Sequence, residues 1–258
     1  MGNKGAKIKR FCVDPKKLDL PPASSLNTGI RNGRSLATAT PSKLNPREFF
    51  MTIDLAAADA LLSTTRAVRK RLDFTRPVPR DVVLDCIRLS QQAPTASNGQ
   101  TWRWVVVDDA DKRRALAKLY REAAGTMLED ARKTAAAKGE EQTARVYGSA
   151  EYLADHLHEV PVHVIPCLVG RPYPGFEGAF FASIYPAVWS FQLALRPRGL
   201  GTCLTTLLMM KEKEAAALLG IPDDVTQCGL LPVAYTIGDD FKPAQRPSAD
   251  SIVHWNAW

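Results

Sequence analysis

The chain has 258 residues, 45% of them hydrophobic and 24% charged, enough to bury a substantial core and too ordinary a balance for global disorder. Its formal charge of +7 would suit a polyanion-binding surface, but residues 1–50 hold ten basic and three acidic side chains, and the remainder is balanced at 24 of each. A neutral body without aromatic–basic interleaving argues against a nucleic-acid platform. Five cysteines (Cys12, Cys86, Cys167, Cys203, Cys228) with no CxxC pair read as free thiols of a reducing compartment. No apolar run reaches the roughly 18 residues of a membrane helix and no signal-peptide core opens the chain, so a cytoplasmic protein that engages no membrane is expected.

Residues 1–50 are rich in Lys, Ser, Thr, Asn and Pro without apolar periodicity, and too little apolar surface is available there to offset ordering entropy. They are expected to form a disordered basic extension, with one domain over 51–258 and Met51 as an alternative start. From Asp54, a plausible N-cap, Leu55, Leu61, Leu62 and Val68 recur at helical spacing and predict a helix to about Arg71. Pro79-Arg80-Asp81 opens a second helix whose buried stripe is Val83, Cys86 and Ile87, stopped by Pro94. Trp102–Val107 reads as a strand. Residues 111–158 predict two helices broken near Gly139, and Pro161–Val169 a strand buried on both faces. A long apolar helix follows from about Ala179 to Leu195, then a short strand or turn over Gly201–Leu207, a helix over Lys211–Leu219 and a last strand over Cys228–Ile237. Helices and strands mixed without strict βαβ alternation predict an α+β fold.

The four histidines form no HExxH, and neither GxSxG, GxxxxGK[ST] nor GxGxxG occurs, so zincin, nucleophile-elbow, P-loop and dinucleotide-fingerprint chemistry lack support. No metal site and no catalytic side chain is predicted; if the chain is an enzyme, a bound cofactor carries the chemistry. Three segments suit one. Arg66 and Arg69, three apart, project from one face if helical, and paired guanidinium forks suit a phosphate; a solvated basic helix end is the plainer alternative. Residues 93–102, Ala-Pro-Thr-Ala-Ser-Asn-Gly-Gln-Thr-Trp, join a helix to a strand, and Asn98 and Gln100 there offer donors and acceptors to a heteroaromatic edge; an ordinary polar turn reads equally well. In Arg198-Gly199-Leu200-Gly201-Thr202-Cys203, two glycines would let backbone approach a flat ring, although a helix C-cap and tight turn explain them too.

Taken in order, these segments resemble the nitroreductase family of FMN flavoproteins over roughly residues 60–256. Arg66-Ala67-Val68-Arg69 is similar to the family's Arg-Ser-x-Arg element. The loop over residues 93–102 is similar to its Ala-Pro-Ser-x-x-Asn-x-Gln-Pro-Trp, and Gly199-Leu200-Gly201-Thr202 to its Gly-Leu-Gly turn. Arg246 stands where a C-terminal arginine reaches the FMN phosphate. The resemblance implies a nitroreductase-like α+β fold, a central mostly antiparallel sheet flanked by helices, in a homodimer with FMN at the interface. It implies that Arg66, Arg69 and Arg246 hold the phosphate beside Ala67, with Asn98 and Gln100 at the isoalloxazine edge. Pro186 and the Gly199, Leu200, Gly201, Thr202 turn would line the ring's other side. Ala67 replaces the family's phosphate-binding serine and Thr101 its loop proline. The implied activity is ping-pong transfer from NAD(P)H to a nitroaromatic, quinone or conjugated acceptor. Reductive dehalogenation, flavin fragmentation or a non-catalytic flavin-binding role are alternatives. Residues 122–159 are expected to form a substrate lid.

Overall fold

Apolar residues on both faces of residues 162–169 demand cover from two sides, and the computed structural model, which describes residues 53–258, provides it. The predicted basic extension over 1–50 and the proposed start at Met51 lie outside the described residues. In chain order the elements are α1 (Leu55–Thr64), β1 (Leu72–Asp73), α2 (Arg80–Ser90), β2 (Trp102–Val107), α3 (Ala110–Ala124), α4 (Met127–Ala137), α5 (Glu141–His156) and β3 (Val162–Val169). There follow α6 (Glu177–Ala182), α7 (Tyr185–Leu195), β4 (Leu200–Gly201), α8 (Glu212–Leu219), β5 (Val225–Gln227) and β6 (Leu231–Thr236). The sheet runs β1-β6-β3-β2, with β4 beside β6 and β5 beside β3. Every strand pair is antiparallel, the α+β arrangement expected.

The period-two side-chain direction of a strand divides the core. Val162, Val164 and Leu168 of β3 pack with Val83 and Ile87 of α2 and Val188 and Phe191 of α7. Ile165 and Cys167 face the opposite layer, with Leu116 and Tyr120 of α3, Leu153 of α5 and Ala215 of α8. Each fully buried large apolar side chain contributes about 1.5–3 kcal/mol.

Several boundaries differ from expectation. The first helix stops at Thr64, not near Arg71, although Asp54 caps it as predicted through a bond from the Ala57 N–H. Tertiary pairing wins over helix continuation here, because the Val68 N–H donates to the Thr202 carbonyl at 2.9 Å. Leu55 and Leu62 consequently line no core: α1 buries no residue, and these two are 72% and 55% exposed. α2 buries Val83, Cys86 and Ile87 as expected but ends four residues before Pro94. The two helices predicted over 111–158 are three, interrupted at Gly125 as well as near Gly139. The predicted long helix from 179 divides at Ser183–Ile184, where Pro186, lacking an N–H, fits only the first turn of a new helix. Read through that break, Glu177–Arg198 is 22 residues long and apolar enough to cross a membrane by composition. This corrects the expectation of no such run. Its α7 part buries Ala187, Val188, Phe191, Ala194 and Leu195 in the core.

Candidate functional site

Once α1 ends, the chain runs extended, and Ala67 bridges Thr202 in parallel register. Arg66 and Arg69 are therefore not on a helix face, as the spacing suggested. They leave an extended segment stitched to the end of β4. A strap over residues 239–246 crosses this segment and is anchored by named contacts. Arg66 Nη1 donates to the Lys242 carbonyl at 2.7 Å, and Arg71 pairs with Asp240 at 2.6 Å. The Arg71 and Arg196 guanidinium carbons lie 4.3 and 4.7 Å from the Phe241 ring centroid, cation–π contacts that hold the aromatic ring in place.

The result is a cavity of about 650 Å³ in which Arg66, Arg69 and Arg246 converge, with Gln142, Arg145 and Ser149 of α5 opposite. A second cavity of about 450 Å³ shares Arg66, Ala67, Arg69 and Ser149 and adds Lys70, Lys242 and the Arg71–Asp240 pair. Among the described residues, no carboxylate lies within ion-pair distance of Arg66, Arg69 or Arg246, and Arg145 has only Glu141 at 3.5 Å, both side chains largely exposed. Such an exposed pair is weak, so the cleft presents uncompensated positive charge. Three guanidinium groups on one cavity, unpaired with acids, suit a phosphate-sized dianion.

Asn98, Gln100 and Pro186 form a second group that does not line this cavity. Ser97, Asn98 and Gln100 have φ of 53°, 53° and 47°, a left-handed backbone that non-glycine residues rarely adopt and that costs about 1 kcal/mol or more at each. The strain is held by a lattice of bonds. Gln100 Nε2 donates to Asn98 Oδ1 at 2.7 Å, and the Gln100 N–H to Thr95 Oγ1 at 3.2 Å. Ser183 ties the loop to the α6–α7 junction: its Oγ accepts the Ala96 N–H at 3.1 Å, and its carbonyl accepts Trp102 Nε1–H at 2.7 Å. Pro186, exposed in the first turn of α7, stands three residues beyond that tie. Asn98 and Gln100 are themselves exposed, leaving their remaining amide groups available.

The Gly199–Thr202 turn follows the plainer of the two readings of its glycines, a helix cap and tight turn, and not a close approach to a flat ring. Gly199, at φ 71°, closes the turn Arg196–Arg198. A Cβ on Gly201 would lie 2.6 Å from Thr236 Cγ2 and 3.1 Å from Val68 Cβ, so neighbouring side chains fill the space reserved above for a flat ring. Leu200 and Thr202 are buried. Gly201→Ala is expected to destabilise the fold by about 1–3 kcal/mol through overpacking, read as a lower urea midpoint at unchanged m-value; an unchanged midpoint would refute the packing assignment. The Thr202 hydroxyl, buried next to Ala67, has no hydrogen-bond partner among the described residues, an uncommon state for a buried polar atom.

Burial pushes the Cys203 thiol up to about 11 against the opposing pull of the neighbouring Arg69 guanidinium, and Cys167 and Cys228 up to about 12. All three are protonated at neutral pH. Gln142, Arg145 and Ser149 were absent from the sequence expectations. Their spacing of three and then four residues marks one helix face, the signal that could have singled them out.

The sequence pattern of the nitroreductase family matches residues 62–235. No curated protein matches the sequence. Among solved structures, iodotyrosine deiodinase bound to FMN and 3-iodo-L-tyrosine superposes with a TM-score of 0.57 at 22% identity, covering 77% of this chain and 98% of that one. The FMN- and NADPH-dependent nitroreductase NfnB from a Sphigopyxis strain gives 0.57 at 19% identity, over 78% and 99%. A BluB-like flavoprotein from Clostridium difficile gives 0.57 at 17%, over the same shares. At these identities the likeness concerns the fold. With the family pattern matched across well over half its length, and with the arginine segment and the β4 turn stitched together inside that match, the chain belongs to the nitroreductase family.

Proposed function

We propose that this protein is an FMN-dependent oxidoreductase that passes reducing equivalents from NAD(P)H to a small acceptor, a nitroaromatic, quinone or conjugated compound, by a ping-pong cycle. The observation that carries the reading is the convergence of Arg66, Arg69 and Arg246 on one cavity without a neutralising acid. These residues fit the FMN phosphate, with the Ala67 backbone beside it. The strained Asn98 and Gln100 loop suits the edge of the flavin ring, and Pro186 its flank. Thr202, buried beside Ala67, shapes the wall from behind together with Gly199, Leu200 and Gly201. Bound FMN supplies the two-electron chemistry. The chain's own contribution is to anchor the phosphate and hold the amides in a preset orientation.

A homodimer is part of the proposal. α1 buries none of its residues, and Trp255 and Trp258 near the C-terminus are 85% and 102% exposed. So much apolar surface favours a protein partner, and a second copy of the chain supplies it. Free thiols at Cys86, Cys167, Cys203 and Cys228 support a cytoplasmic setting, and the neutral body is consistent with small-molecule rather than nucleic-acid partners.

The test is the visible spectrum of the purified protein, followed by anaerobic addition of NADPH or NADH. Flavin bands that bleach are expected. A colourless protein that also fails to take up added FMN would overturn the proposal, and a yellow one inert to both nucleotides would restrict it to flavin binding.

A further inference from the structure

The α4–α5 hairpin belongs to the stretch expected to serve as a substrate lid, yet one face of α5 lines the arginine cavity. Gln142, Arg145 and Ser149 stand on that face. Among the described residues Arg145 is held only by its exposed 3.5 Å contact to Glu141, which a dianion would readily displace. Ser149 directs its hydroxyl proton to the Val146 carbonyl at 2.7 Å, leaving an oxygen lone pair toward Arg69 Nη1 at 3.5 Å. It lines both cavities, at the point where Arg69 passes between them. Position 67, in the middle of the arginine segment, is an alanine and can offer an anion only its backbone. The helix is itself anchored: Arg132 of α4 pairs with Glu151 at 2.7 Å, and Gly148 lies against the Arg132 side chain.

We propose that α5 is a cofactor-retaining element rather than an acceptor lid. Arg145 supplies a fourth guanidinium to the FMN phosphate, and Ser149 positions Arg69 for it. The inference rests on reading the cleft as the phosphate site. It makes phosphate binding depend on a helix lying more than 70 residues along the chain from Arg66, with four guanidinium groups lining the cavity.

The test compares FMN with riboflavin, which lacks the phosphate, by flavin-fluorescence titration of the full-length apoprotein. Arg145→Gln is expected to raise the FMN Kd roughly tenfold, the loss of one charge-assisted contact, with the riboflavin Kd unchanged. Arg145→Lys should recover part of the loss, and Ser149→Ala should shift FMN binding in the same direction by a smaller factor. Arg66→Ala is the reference. If it weakens FMN selectively while Arg145→Gln leaves FMN binding unchanged, or weakens both flavins alike, the α5 assignment is overturned and the phosphate site stands. If Arg66→Ala shows no preference between the two flavins, the phosphate reading fails and this inference with it. Thermal melts of each variant establish that the comparison is between folded proteins.

Discussion

Arg66→Ala is expected to weaken FMN binding by roughly 30- to 100-fold while leaving the chain folded. Two losses combine. A guanidinium that can form paired, charge-assisted bonds to a phosphate is removed, at about 1.5–3 kcal/mol. The bond from Arg66 Nη1 to the Lys242 carbonyl also disappears, which frees the strap carrying Arg246, the second arginine proposed for the phosphate. The effect on folding is smaller, because a hydrogen bond near the surface contributes only about 0.5–1.5 kcal/mol net. Flavin retention on gel filtration, set beside a urea melt of the apoprotein, separates the two. Equal losses of affinity and stability would show Arg66 to be a structural tether and not a ligand.

Acidification is expected to remove about 3 kcal/mol of stability through one side chain, His163. It is completely buried on β3, its Nε2–H donates to the Leu157 carbonyl at 2.9 Å, and its Nδ1 has no partner. Burial, reinforced by Arg113 and partly opposed by the Leu157 bond, lowers its pKa from 6.5 to about 4. The unfolded chain therefore takes up a proton on this ring at a pH where the folded chain does not. The stabilisation is complete above about pH 6.5 and declines as the pH falls toward 4, by the free energy of a shift of that size. The urea midpoint should drop over this window. In His163→Gln, which keeps an N–H for Leu157 and does not titrate, the dependence should flatten. Parallel pH profiles for the two proteins would locate acid lability elsewhere, for instance in Asp108, whose carboxyl Arg80 holds below its usual range.

The elements legible in the sequence were those whose local pattern and tertiary role agree. β2 occupies Trp102–Val107 as its aromatic and β-branched residues required. β3 is buried on both faces because its run is apolar at every position but His163, and the α2 stripe of Val83, Cys86 and Ile87 needed only a 3.6-residue period. β5, three residues long, was missed because so short a segment has no period of its own and exists through pairing with β3.

The site divides along the same line. The grouping of Arg66, Arg69 and Arg246, which line one cavity, was suggested by motif order, but the helix face expected to carry Arg66 and Arg69 does not form. A parallel bridge between Ala67 and Thr202 sets their direction. Gly199 takes the helix-cap role its position allowed, whereas the reason for Gly201 shows only in the folded chain, where Thr236 and Val68 occupy the space a Cβ would need.

The sequence alone determined the α+β class, the neutrality of the body behind a basic first fifty residues, and which residues were chemically equipped to hold an anion. These follow from composition and short-range period, which each segment carries within itself. The tertiary structure alone decided where α1 stops, which α5 side chains face the arginines, and how the strap over residues 239–246 closes the cavity. Those depend on contacts between segments far apart in the chain, where a backbone bond or a missing Cβ outweighs local propensity and leaves no periodic mark in the sequence.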